Sequence, residues 1–115
     1  MKRNMDLIRM LLLIAEGSKA AQLWVKKYPE EERLYHAQLL IEEGYVIGLG
    51  RPIPGSAFIN AVVIERLTWK GHDFLDATRS QEIWRKVQKK ALKVGGWTVD
   101  LLLDLAKQEL KKTML

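Results

Sequence analysis

Residues 45–67 read YVIGLGRPIPGSAFINAVVIERL, and the hydrophobic pattern of the chain changes its period here. Residues 45–49 have the character of a strand, and residues 58–67 are rich in the β-branched side chains that strands favour. Between them, residues 48–55 hold the glycines and prolines that are typical of a connection between strands. The sequence therefore predicts a β-hairpin, with Arg51 near its tip.

Helical patterns precede the hairpin. Residues 5–16 have apolar side chains at helical spacing, between Asn4 as a good N-cap and Gly17 as a natural stop. A further helix is predicted to begin at Pro29, where three glutamates follow at the positive end of the helix dipole. It is expected to end at Gly44. Its predicted inner stripe consists of Leu34, Ala37 and Ile41.

More helices are predicted after the hairpin. Thr68 is expected to cap the first, and Ser80 either interrupts that helix or starts a new one. After the break at Gly95-Gly96, Thr98 caps the last helix, whose acids at the start and lysines at the end match the helix dipole. The buried stripe of the helix before this break is predicted to be Ile83, Trp84, Val87, Ala91 and Val94.

This order of elements predicts an α+β, mostly helical fold that is winged-helix-like, with a β-hairpin wing and extra C-terminal helices. Residues 35–46 resemble a recognition helix that runs into a wing, and residues 66–75 resemble the exit from a wing. We expect one domain over residues 1–115, with the winged-helix core in residues 1–80 and a C-terminal helical extension in residues 81–115.

Composition excludes several classes of protein. A chain of 115 residues with 48% hydrophobic and 29% charged residues is ordinary for a globular domain and argues against disorder. The absence of cysteine excludes disulfides and thiolate chemistry. No apolar run approaches the ~20 residues of a membrane helix. We therefore expect a cytoplasmic protein without a membrane partner.

Net charge is +5 and is unevenly spread along the chain. Residues 1–60 hold 8 basic and 7 acidic residues, a net charge of +1, whereas residues 61–115 hold 11 and 7, a net charge of +4. A mild basic excess of this kind suits a protein that binds nucleic acid.

Three longer motifs resemble one small family. The chain opens with MKRNMDLIR, carries YHAQLLIEEG at residues 35–44, and carries LTWKGHDFLDATR at residues 67–79, followed by Ile83-Trp84. Together they resemble the prophage-associated domain of unknown function numbered twenty-five-thirteen (DUF2513). The resemblance implies a bacterial or phage origin and an accessory phage gene, and it assigns no catalytic residue.

Few residues in the sequence could form a catalytic site, and we expect no enzyme activity, no cofactor and no metal. The dipeptide His72-Asp73 is reminiscent of metal-dependent hydrolases, but His36 is the only other histidine. Adjacent residues on a helix also point about 100° apart, so this pair does not chelate one ion. Instead, Asp73 or Asp76 is expected to pair with Arg79, and His72 to pack at the hairpin exit.

Two features favour a winged-helix DNA-binding regulator, with double-stranded DNA as the partner. Lys86, Lys89 and Lys93 share one face of a helix, where they can lie along phosphates. Arg51 at the wing tip suits a narrow minor groove. The full set of nucleic-acid-binding candidates is Arg33, His36, Arg51, Arg85, Lys86, Lys89, Lys90 and Lys93.

The presumed recognition helix argues against standard docking in the major groove. It carries five glutamates and one arginine, a net charge of −4, where a groove-binding helix is neutral or basic. Residues 20–26 are also compatible with a short strand, in which case the first helix of a helix-turn-helix is missing. These two features weaken the expectation of base readout by this helix.

A module that binds and modulates a host or phage protein, without DNA, is the alternative. The side chains proposed for such an interface are Glu30, Glu31, Glu32, Leu12, Leu13 and Trp97. Under either hypothesis we expect a homodimer, because Leu12, Leu13 and the apolar stripe of residues 99–110 exceed what a small monomer core needs. Trp84 is expected in the core, whereas Trp24 and Trp97 suit a dimer interface.

Overall fold

The computed structural model describes the backbone of residues 2–52 and 59–114. Its elements are α1 Met5–Glu16, α2 Lys19–Trp24, a 3-10 turn Val25–Lys27, α3 Glu30–Glu42, β1 Val46–Pro52, β2 Ile59–Leu67, α4 Trp69–Thr78, α5 Gln81–Val94 and α6 Val99–Met114. The predicted mostly helical α+β class is confirmed, and the element order is compatible with a winged-helix-like arrangement. Within these ranges, no helix has the length and apolar character needed to cross a membrane.

The helix ends follow the capping signals of the sequence. At the start of α1, the backbone N–H of Leu7 donates to Asn4 Oδ1 at 3.1 Å, and Gly17 ends the helix with a φ of 107°. The hydroxyls of Ser80 and Thr98 cap α5 and α6 in the same way. Each cap supplies an acceptor that the first helical turn lacks. Ser80 therefore starts a new helix.

The segment before α3 is helical, so the strand considered for residues 20–26 is wrong. Ser18 Oγ accepts a hydrogen bond from the N–H of Ala21 at 3.2 Å, which caps the first turn of α2. Ala21 and Val25 are buried, whereas Leu23 between them is 68% exposed, and a strand would have placed all three side chains on one face. This cap and this burial outweigh the local β preference of the segment. The helix that a helix-turn-helix requires before α3 is therefore present.

The two strands form an antiparallel hairpin with Leu49 opposite Val63. β1 extends through Pro52, so the prediction that a loop begins at Gly48 is wrong for residues 48–52. A Cβ at Gly48 would collide with the backbone carbonyl of Val63, and glycine is therefore required by the close approach of the strands. Residues 53–58, which include the rest of the predicted loop and the predicted first residue of the returning strand, lie outside the described residues.

The chain divides into two compact units, Met1–Gly71 and His72–Leu115. In the first, α1 packs against α2, α3 and β2, and Leu7, Leu12 and Leu40 are fully buried. A Cβ at Gly71 would collide with the carbonyl oxygen of Tyr45, so this glycine lets the start of α4 approach the start of β1 closely.

In the second unit, α5 packs against α6. Trp84 is buried, as predicted, and its ring meets that of Phe74 edge-on at 5.9 Å between centroids. Ile83, Val87 and Ala91 complete the buried stripe of α5. Val94 was predicted to belong to this stripe, but it is 65% exposed, because it is the last residue of α5 before the chain turns at Gly95.

Candidate nucleic-acid interface

The outward side of α5 carries four exposed basic side chains, which we call the α5 basic face. Since Trp84 and Val87 point inward with the rest of the buried stripe, helical periodicity places the basic residues on the opposite side. Over eight residues at 1.5 Å each, they extend along roughly 12 Å of helix axis. The members of the α5 basic face are Arg85, Lys86, Lys89 and Lys93.

One acidic side chain, Glu82, shares this side of α5. Its Oε1 lies 3.4 Å from Lys86 Nζ, and both side chains are more than half exposed. Exposed pairs one helical turn apart contribute only about 0.3–0.5 kcal/mol, so Lys86 can exchange this partner for a phosphate at little cost. Glu82 therefore reduces the positive potential of the face without removing it.

Lys90, another predicted contact, has a structural role. Its Nζ donates a hydrogen bond to Oε1 of Glu109, a buried carboxylate on α6, and Lys112 Nζ lies 3.6 Å from the same oxygen. The hydrogen bond to Glu109 raises the pKa of Lys90, and the hydrogen bond from Lys90 lowers the pKa of Glu109. Lys90 thus joins α5 to α6 and is set apart from the α5 basic face.

The outward strip of α3 is acidic. Glu31, Tyr35 and Glu42 are exposed, and Gln38 between them is half-buried. Spacings of three and four residues align these side chains along one side of the helix. Arg33, the only arginine of α3, is half-buried. A helix with this outward strip would bring carboxylates, and not cations, towards a DNA groove.

His36 lies inside the fold and is 1% exposed. The backbone N–H of Asn4 donates to its Nε2 at 2.8 Å, and its Nδ1 lies 2.8 Å from the carbonyl oxygen of Glu32. Because a backbone N–H can only donate, Nε2 is the acceptor and Nδ1 carries the proton. Burial lowers the pKa of His36, although the Glu32 carbonyl and carboxylate act in the opposite direction. With both nitrogens occupied, the ring has no atom left for DNA.

The inner side of α3 differs from the predicted stripe. Ala37 is buried as expected, but Leu34 and Ile41 are only half-buried, and their places in the core are taken by His36 and Leu40. The helix is rotated from its predicted orientation because the hydrogen bonds of His36 hold its ring inside. Hydropathy alone carries no signal for such a histidine.

The remaining candidates are dispersed. Leu12 is buried within its own unit, Leu13 and Trp97 are half-buried, and Glu30 is exposed. Leu12 therefore faces the core and presents no surface to a partner. The backbone of Arg51 lies in β1 opposite Ala61. Its side chain is outside the described part of the structure.

A second basic surface, which the sequence analysis missed, lies on residues 18–28, here called the α2 segment. Its three lysines, Lys19, Lys26 and Lys27, are exposed, as are Leu23 and Trp24. From Gly17 to Pro29 the sequence contains no aspartate or glutamate. This absence of acids was readable from the sequence and was the signal that could have identified the surface.

The dipeptide His72-Asp73 forms no metal centre in the described residues, where no group of three or more potential ligands comes together. Asp76 pairs with Arg79 at 3.1 Å, as expected. His72 is exposed, so the prediction that it packs at the hairpin exit is wrong. Asp73 lies 3.9 Å from Lys107 of α6 and belongs to the surface of the second unit.

Comparisons with known proteins identify relatives without an assigned activity. A family model described as "Hypothetical protein (DUF2513)" matches residues 2–97. An uncharacterized protein of Haemophilus influenzae is 34% identical over 114 residues, which cover 94% of this chain and 91% of the relative. No solved structure matches. These matches carry no information about a ligand.

Proposed function

Because this chain belongs to the DUF2513 family, whose description names no activity, we propose from its surface that it is a DNA-binding accessory protein that contacts duplex phosphates through the α5 basic face. One observation supports this proposal above all. Four exposed cations occupy roughly 12 Å of one helix, with Glu82 as the one acidic side chain among them.

The match between this face and DNA is electrostatic. Duplex DNA carries one negative charge per ~1.7 Å of helix axis, so a stretch as long as the face holds about seven phosphate charges. Long, exposed lysine and arginine side chains reach such phosphates without needing a fixed register. Contacts of this type position a protein on DNA but do not read its sequence.

The acidic strip of α3 determines which mode of binding is favoured. Glu31 and Glu42 would be repelled by the phosphates that flank a groove, and the half-buried Arg33 offers little compensation. We therefore assign binding to α5 and not to the recognition helix of a helix-turn-helix. A regulatory role would require additional sequence readout, and the wing with Arg51 is the candidate for it.

Fluorescence anisotropy with a labelled random duplex tests this proposal. Four phosphate contacts, each contributing about 0.9, predict a slope between about −3 and −4 when the logarithm of the binding constant is plotted against that of the salt concentration. Tighter binding to DNA from upstream of the protein's own gene would support a regulator. Absence of binding to either duplex at low salt would contradict the proposal.

A protein-interaction module is the second candidate, favoured by an apolar patch on the hairpin. Ile47, Leu49 and Val63 are exposed, and the last two lie directly opposite each other on the two strands. Such a module would leave duplex DNA unbound. It would instead retain a host protein in a pull-down, and charge reversal at Glu30 and Glu31 would release that protein.

A further inference from the structure

The α2 segment exposes more apolar surface than its folding explains. Leu23 is 68% and Trp24 is 58% exposed, whereas Ala21 and Val25 are the side chains that α2 and the 3-10 turn bury in the core. A tryptophan stabilises a fold through the area it buries, and most of this ring remains in contact with solvent. Its presence is therefore better explained by a partner than by the core.

Charge identifies the partner as an anion. Lys19, Lys26 and Lys27 are exposed, and no acidic residue occurs between Gly17 and Pro29. Lys27 Nζ lies 5.3 Å from the centroid of the Tyr28 ring. A cation–π contact at an exposed site is weak, so it leaves this ammonium group available to an anion.

Spacing pairs each exposed apolar side chain with a lysine. Lys26 follows Leu23 by three residues, and Lys27 follows Trp24 by three residues, within one continuous helical stretch. Residues three apart on a helix are neighbours, with roughly 5–6 Å between their Cβ atoms. The segment therefore presents flat apolar surface and positive charge side by side.

The anionic partner could be an acidic protein or a single-stranded nucleic acid, and the nucleic acid fits the segment better. Protein interfaces are enriched in tryptophan but depleted in lysine. Sites for single-stranded nucleic acid combine both, because lysines follow the backbone while aromatic rings stack on bases. A duplex hides the faces of its bases, so that an exposed ring finds no stacking partner on it.

We infer that the α2 segment binds single-stranded nucleic acid, with Trp24 stacked on an unpaired base and Lys26 and Lys27 on the adjoining phosphates. This site is additional to the proposed function. The α2 segment belongs to the first unit and the α5 basic face to the second, so each can be altered without changing the other.

The test measures the anisotropy of a labelled oligothymidylate of twelve nucleotides with wild-type protein, Trp24→Ala and Trp69→Ala. Trp69 is the matched control, because it is 83% exposed and lies in the same unit. Loss of one stacked base should lower the affinity of Trp24→Ala by roughly 5- to 150-fold. Trp69→Ala should bind as wild type, and circular dichroism should show both variants folded.

Three outcomes would overturn the inference: no binding of the oligonucleotide at low salt, equal losses in the two tryptophan variants, or binding of an oligoglutamate peptide at Trp24 in its place. A fourth outcome separates the inference about the α2 segment from the proposed function of the α5 basic face. If charge reversal on α5 abolishes oligonucleotide binding and Trp24→Ala does not, the strand lies on the α5 basic face. The inference then fails while the proposed function stands.

Discussion

Reversing the charges of Lys86, Lys89 and Lys93 to glutamate should weaken binding to a random duplex by about 100-fold. Each substitution removes an attraction to a phosphate and adds a repulsion, which together amount to about 1 kcal/mol for an exposed contact. Three such losses correspond to about two powers of ten in the dissociation constant. Anisotropy at one fixed, low salt concentration measures the change directly.

A control must separate the position of the charges from the net charge, since this variant changes the net charge from +5 to −1. Reversal of Lys2, Lys107 and Lys111, which are exposed and lie outside α5, changes the net charge by the same amount. The affinity of this control variant for the duplex should stay within a few-fold of that of the wild type. Equal weakening by both triple variants would mean that no particular face binds the duplex.

Replacing His36 by alanine should lower the free energy of unfolding by about 2 kcal/mol at neutral pH. The substitution opens a cavity beneath α3 and leaves the backbone N–H of Asn4 without its acceptor, and a buried donor without a partner costs about 1–3 kcal/mol. Urea denaturation followed by circular dichroism measures this loss. His72→Ala is the control, because His72 is exposed and its removal should leave stability unchanged.

The same histidine makes stability depend on pH. Burial lowers the pKa of His36 in the folded protein, whereas in the unfolded chain the imidazole keeps its ordinary pKa of 6.5. Between these two values the unfolded state binds more protons, so stability is complete above pH 6.5 and falls as the pH decreases towards the folded pKa. Between pH 7.5 and 5.5 this decline should occur in wild type and His72→Ala and be absent from His36→Ala.

Local signals determine most of this fold, and the sequence predicted those parts well. Asn4 and Gly17 mark the two ends of α1 because a cap and a left-handed glycine act on their immediate neighbours. The α2 segment was misjudged, because Leu23, Trp24 and Val25 suggested a strand and the capping signal of Ser18 was overlooked. A strand also needs a neighbouring strand to pair with, and sequence periodicity does not report whether one is available.

The candidate site was predictable only in part. The helical spacing of α5 alone predicts that Arg85, Lys89 and Lys93 lie on its exposed side, and the structure places them there. In contrast, Lys90 is held by a carboxylate 19 residues away, and His36 by a backbone group 32 residues away. Contacts between residues that distant in the chain depend on how the helices pack, and no local pattern encodes them.

In the proposed mode of binding, α5 and not α3 is the surface that contacts duplex DNA. Amide chemical shifts of the isotopically labelled protein, followed by NMR during titration with a random duplex at low salt, show which of the two helices contacts the DNA. Binding through α5 predicts that the largest changes occur at Arg85–Lys93 and that those of Glu31–Glu42 are small. Changes concentrated on α3, with α5 unaffected, would contradict it.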